Sequence, residues 1–145
     1  MQIRPYRDSD FIDWLRMSGM LFPEHTPEEL APWMRTFLTR EDGAVFIACR
    51  DDESACGFVE VAARPYADGC ATSPVGFIEA WYVDADMRRT GVGRALLGAA
   101  EDWARGRGYS EMASDALLDN EVSHRAHEGA GYIEVERAVR YRKPL

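Results

Sequence analysis

Apolar positions change period several times along this chain, and each change predicts an element. Phe11, Trp14, Leu15 and Ser18 recur at three- and four-residue spacing, which predicts a helix capped by Asp8 or Ser9 and running to about Leu21. A short strand around Ile3 precedes it. After the loop Phe22-Pro23-Glu24-His25, Thr26-Pro27-Glu28-Glu29 supplies a capping hydroxyl, a proline in the first turn and acids at the positive end of the dipole, so a second helix begins there. Ala44 to Arg50 and Cys56 to Ala63 are rich in β-formers and are joined by Asp51-Asp52-Glu53-Ser54, a predicted hairpin. Val75 to Val83 follows a polar loop and reads as a buried strand interrupted by Glu79. Val92, Ala95, Leu96, Ala99 and Trp103 return to the helical period, and Gly106 and Gly108 stop it. Ser110 to Ala116 then reads as a strand, Asn120 to Ala130 as a helix closed by Gly131, and Ile133 to Tyr141 as a final strand. The order predicts an α/β (α+β) fold with a β-α-β unit in its second half.

No repeat or linker interrupts the pattern, so residues 1–145 are read as one domain. Apolar residues at 46% and charged residues at 29% fit a soluble globular chain. Apolar runs such as Ala44 to Cys49 fall far short of the ~20 residues that span a bilayer, and the amino terminus lacks an apolar signal region. Cys49, Cys56 and Cys70 form no CxxC pair, which together with the missing signal predicts a cytoplasmic protein. His25, His124 and His127 lack the spacing of metal ligands, so no metal is expected. A net charge of -8 argues against nucleic acid as a partner and would draw cations instead.

The segment Arg88-Arg89-Thr90-Gly91-Val92-Gly93-Arg94 carries the most specific chemistry. Glycines between a strand and a helix start leave backbone N–H groups free where the helix dipole adds about half a positive charge, and Gly91 and Gly93 would let that backbone approach a phosphate. A nucleotide P-loop is excluded, because Gly93 is followed by Arg94-Ala95 rather than lysine and a hydroxyl residue. A dinucleotide fingerprint fits poorly, since Leu96 stands where a small residue is needed, although Asp115 lies where a ribose ligand would be expected.

Arg88-x-x-Gly91-x-Gly93 after Ile78 to Val83, with Asn120, Ser123, His127 and Gly131-Tyr132 downstream, resembles the GCN5-related N-acetyltransferase (GNAT) superfamily. The resemblance implies a mixed, mostly antiparallel twisted sheet with a central parallel β-α-β unit, flanked by helices. It also implies acetyl-CoA as co-substrate, with Trp81, Tyr82 and Val83 along its pantetheine arm, Arg89, Thr90, Gly91, Val92, Gly93 and Arg94 around its pyrophosphate, and Asn120 on the far side. A narrower resemblance covers nearly the whole chain. Phe22-Pro23-x-His25, Tyr66, Asp68-Gly69-Cys70, Ser73-Pro74-Val75, Glu79, Glu111 to Asp115, Asn120 and Glu134 to Lys143 are similar to the aminoglycoside 6'-N-acetyltransferases. It implies that Phe22, His25, Tyr66, Glu79, Asp115 and Glu136 line the antibiotic site and that the protein is a homodimer, with Ile133 to Tyr141 a candidate for the contact. Two positions depart from these patterns: Phe22 stands where the subfamily has tryptophan, and His127 where many superfamily members place a tyrosine acid.

The residue types suit the reaction. Aminoglycosides bear several ammonium groups, and each close pair with a carboxylate is worth ~1 kcal/mol in water and ~4 kcal/mol in a cleft, before desolvation. The attacking amine must shed a proton, so Glu79 or Asp115, directly or through water, is the candidate base. A backbone N–H near Tyr82 would stabilise the oxyanion. Taken alone, Glu79 and Asp115 read as ordinary strand-end ion pairs; their placement, on the strand before the glycine loop and near the end of the next strand, points both toward the expected place of the thioester. A different amine as acceptor, or a binding module for cationic ligands, are the rival functions.

Overall fold

A computed structural model describes residues 1–145. Strand β1 (Gln2–Pro5) leads through a single 3-10 turn at Asp8–Asp10 into helix α1 (Phe11–Leu21), then α2 (Pro27–Leu38), β2 (Gly43–Cys49), β3 (Ala55–Arg64) and β4 (Val75–Val83). Helix α3 (Val92–Gly106), strand β5 (Met112–Ser114) and helix α4 (Glu121–Gly129) complete the order. The five strands lie in sequence order, antiparallel from β1 to β4, and β5 joins β4 in parallel.

Local chemistry explains most boundaries. Thr26 accepts from Glu29 N and Glu29 reaches back to Thr26 N, a reciprocal cap that starts α2 where the sequence predicts it. Asp10 is buried because Arg4 donates to both of its oxygens, at 2.7 and 2.8 Å, which ties β1 to the start of α1.

Both sheet faces are covered. On one, Trp14 and Met17 of α1 and Leu30 and Met34 of α2 pack on Val45, Ile47, Phe58, Ala80 and Tyr82. On the other, Val92, Leu96, Leu97 and Ala100 of α3 pack on Ala48, Val59, Val61 and Ile78. Full burial of each leucine is worth ~2 kcal/mol, which holds α3 and the loop before it against the sheet.

Two expected strands are corrected. The one over Ser110 to Ala116 shortens to Met112–Ser114, because the chain parts from β4 after Ile78 pairs with Ser114. The final strand over Ile133 to Tyr141 is absent: this segment pairs with no strand of its own chain, and Ile133, Val135, Val139 and Tyr141 are exposed. The parallel β4-α3-β5 unit therefore forms one end of the sheet rather than its centre.

Candidate active site

Two features of β4 create the site. Its ladder with β5 covers only Gly76–Ile78, so the backbone of residues 79–83 faces no strand on that side. Opposite β3, Glu60 pairs with Ala80 and Val61 with Ile78, which leaves Glu79 as the extra residue of a bulge. Ile78 and Trp81 belong to the α3 side of the sheet and Ala80 and Tyr82 to the α1/α2 side, so the strand's alternation breaks once, at Glu79.

Glu79 is fixed by Arg64, whose Nε and Nη2 donate to its two oxygens at 2.8 and 2.6 Å. The same guanidinium lies 3.5 Å over the Phe77 ring and feels the charge of Asp115. Arg64 thus pairs with one predicted carboxylate and feels the charge of the other, and sequence reasoning missed it. Asp115 sits just beyond β5, exposed, 3.6 Å from Arg140 of the C-terminal segment. Tyr66 donates to Asp68 at 2.7 Å, and that bond, with the charges of Asp68 and Glu136, raises the phenol above its ordinary value. Tyr66, Asp115, Glu136 and Arg64 all line one cleft of about 1350 Å³ between the 64–70 segment, β5, α4 and the C-terminal segment.

Phe22 and His25 form a separate group on the connection between α1 and α2. Phe22 packs against the α1/α2 core. His25 lies 3.6 Å from the Glu29 carboxylate, and its ring stands edge-on to Trp33 at 5.0 Å. The structure shows no ion pair from this loop to Glu79 or Asp115.

At the other end of β4, the 88–94 loop has the form an anion site requires. Gly91 caps α3 with φ 92°, a left-handed conformation, and its carbonyl accepts from Ala95 N, so the amides of Val92, Gly93 and Arg94 precede the first helical bond. Arg89 and Arg94 are exposed and make no ion pair. Gly93 is needed for a reason the sequence did not reveal: a Cβ there would meet the Trp81 ring at 3.1 Å, and Trp81 Nε1 donates to Gly93 O at the same distance. Trp81 therefore supports the loop from the α3 side of β4. Asn120 caps α4, its side-chain oxygen accepting from Ser123 N at 3.1 Å, which leaves its amide N–H groups free.

The loop is anchored by a network with no obvious sequence signal. Buried Asp84, just after β4, accepts from Arg16 at 3.1 and 3.2 Å and from Arg50 at 3.0 Å, and Arg50 also holds Asp86. Burial alone would raise the Asp84 carboxyl, but the two guanidiniums outweigh it and hold it below its ordinary value.

His127 closes the far wall. Its Nδ1 lies 2.7 Å from Ser123 O, an acceptor, so Nδ1 carries the proton and Nε2 accepts from the Ser114 hydroxyl at 2.7 Å. The ring stands edge-on to Trp81 at 5.2 Å. Glu60, also missed, lies half-buried on β3 beside the Glu79 bulge, and desolvation pushes its carboxyl up to about 7. The Trp14 indole N–H opposes that rise and the Glu79 charge adds to it. The reasoning that singles out Glu79 applies equally to Glu60, the one charge between Cys56 and Ala63. No group of three His, Cys, Asp or Glu side chains is placed to hold a metal ion, and no helix is long and apolar enough to cross a membrane.

The sequence model of the acetyltransferase (GNAT) family matches residues 9–132. An aminoglycoside N(6')-acetyltransferase type 1 from Klebsiella aerogenes is 44% identical over 99% of this chain and 96% of its own length. One from Stenotrophomonas maltophilia is 39% identical over 99% and 93%. Among solved structures, the apo aminoglycoside 6'-N-acetyltransferase of Acinetobacter haemolyticus superposes with a TM-score of 0.93 at 34% identity, covering 100% of this chain and 99% of that one. AAC(6')-Iy, solved with the bisubstrate analogue CoA-S-monomethyl-acetylneamine, gives 0.92 at 32% identity, covering 99% and 98%.

Proposed function

The chain belongs to the acetyltransferase (GNAT) family, among the aminoglycoside 6'-N-acetyltransferases, and from that premise we propose that it transfers acetyl from acetyl-CoA to the 6'-amine of aminoglycosides, conferring resistance. One observation carries the reading: β4 loses its neighbour after Ile78 and runs, unpartnered on that side, straight into a glycine-capped helix start flanked by unpaired arginines. A pantetheine arm can pair there like a strand, along Trp81, Tyr82 and Val83. The pyrophosphate then meets the amides and cations of Arg89, Thr90, Gly91, Val92, Gly93 and Arg94, and Asn120 reaches the arm with its free amide.

The thioester falls at the Glu79 bulge. Ammonium groups of the antibiotic are gathered by Glu79, Asp115 and Glu136, with Tyr66, Phe22 and His25 as walls. Glu79 or Asp115 serves as base, directly or through water, while the amine lone pair forms the N–C bond and the C–S bond breaks. A backbone N–H near Tyr82 steadies the oxyanion. His127, already committed to Ser114 and Ser123, orders the wall opposite. A homodimer joined through the C-terminal segment and a reducing, cytoplasmic location, consistent with three free cysteines, complete the reading.

Thiol release from acetyl-CoA with kanamycin or tobramycin tests it. Turnover with either is expected; release with no aminoglycoside overturns the acceptor, and release only with another amine transfers the reading to that amine. The double variant Glu79→Gln, Asp115→Asn should lower turnover by about 100-fold or more, and wild-type turnover would remove both carboxylates from the chemistry.

A further inference from the structure

Glu60 has no role in the scheme above, yet its position is costly without one. Its cross-strand neighbours are Val45 on β2 and Ala80 on β4, both buried and apolar. Leu30 and Met34 of α2 pack into the same core. From α1, the fully buried Trp14 N–H makes no hydrogen bond of good geometry but lies close enough to favour the Glu60 carboxylate. Ser18 Oγ, one turn along the same face of α1, is also buried without a partner. No cation pairs with Glu60: Arg64, four residues along the same face of β3, is bidentate on Glu79, and Arg40 is bonded to Asp42. The one charge that reaches Glu60 is that of Glu79, across the bulge.

A carboxylate so placed is poorly stabilised as an anion and takes up a proton readily. Glu79, by contrast, has both oxygens paired with the Arg64 guanidinium. Asp115 faces water and Arg140. Resting on the acetyltransferase reading, we propose that Glu60 is the terminal proton acceptor of the reaction, receiving across Glu79 the proton that the substrate ammonium sheds.

The balance is complete. The ammonium N–H bond breaks and its proton ends on a Glu60 oxygen. The freed lone pair forms the bond to the acetyl carbon. The C–S bond then breaks with its electron pair on sulfur, and the second proton lost by nitrogen neutralises the thiolate. Before the transfer, Glu60, Glu79 and Arg64 together carry one net negative charge that favours the ammonium; afterwards the three are neutral and the amide product is released. Because Glu60 must be ionised to accept, activity falls as pH drops through its pKa of about 7.

The test compares kcat between pH 5.5 and 9 for the wild type and Glu60→Gln, using thiol release with saturating kanamycin. The amide keeps the shape and the acceptor oxygen facing Trp14. Expected are a drop in kcat of about 100-fold, loss of the acid limb near pH 7, and unchanged acetyl-CoA affinity by calorimetry. The antibiotic's own titration is common to both proteins, so the difference isolates Glu60. Glu60→Asp should restore part of kcat together with the limb. Wild-type kcat, or an unaltered limb, in Glu60→Gln overturns the proposal. Should that variant fail to fold, carbon-13 NMR of glutamate-labelled wild type decides: a carboxyl titrating between pH 6 and 8 is expected, and none in that range overturns the proposal. Absence of thiol release by the wild type with any aminoglycoside would sink the acceptor assignment instead, an outcome distinct from a failure at Glu60.

Discussion

Gly91 and Gly93 stand two residues apart and do different work. Gly91 needs its backbone: φ is 92°, and a Cβ would meet nothing within 4 Å. Gly91→Ala should therefore cost about 1–2 kcal/mol of stability through left-handed strain, read as a lower urea midpoint. Gly93 needs its missing side chain, since Trp81 lies 3.1 Å from where a Cβ would stand. Gly93→Ala should push Trp81 and the loop apart and weaken acetyl-CoA binding by about 10-fold in calorimetry with little loss of stability. Equal loss of affinity in both variants would refute the division. The sequence marked both glycines as the entry to a helix, but the difference between them depends on a ring contributed twelve residues earlier by β4. Glu79 was legible for a comparable reason, as a charge inside an apolar strand; its partner Arg64 was not, because only the bulge register brings the two together.

Between elements, the chain relies on ion pairs that span long sequence separations. Arg16 of α1 and Arg50 beyond β2 converge on Asp84, the residue that ends β4 and begins the loop before α3. Asp10 is held by Arg4, with burial working against the bond, and its carboxyl too lies below the ordinary aspartate value. A depressed folded pKa contributes stability that is fully present above the unfolded value of about 3.9 and is lost as pH falls through the lower folded value. Stability should therefore rise as pH climbs toward about 4, with little further increase from these groups well above that. Asp84→Asn, which removes one acid from Arg50 and the nearer of two from Arg16, should cost about 1.5 kcal/mol at pH 7 and flatten this rise. Urea midpoints from pH 3 to 7 check both, and parallel curves for the two proteins would exclude Asp84 as a source of the acid dependence. Helices and strands were legible because their periods are local; this network was not, because nothing near Asp84 in sequence distinguishes it from the exposed acid Asp86.

For the whole molecule, the segment after Tyr132 is where a single chain fails to account for its own sequence. Ile133, Val135, Val139 and Tyr141 alternate as a half-buried strand would, yet are 83, 62, 71 and 91% exposed. Period two predicted a strand that this segment does not form, since a strand requires an edge and the segment finds none within its own sheet. A second copy would supply one: β5 has β4 on one side only, and the wide cleft beside it is bordered by this same segment. Charge favours the exchange, because residues 133–143 hold Glu134 and Glu136 against Arg137, Arg140, Arg142 and Lys143, whereas the chain as a whole carries -8. Sedimentation at tens of micromolar should give a dimer. The variant Val139→Glu, Tyr141→Glu should shift it to monomer and lower kcat/KM for the antibiotic more than for acetyl-CoA, because Glu136 and Arg140 of this segment border the wide cleft, which the 88–94 loop does not line. A wild-type protein that sediments as a monomer, or a monomeric variant with undiminished kcat/KM for the antibiotic, would show that the segment completes nothing.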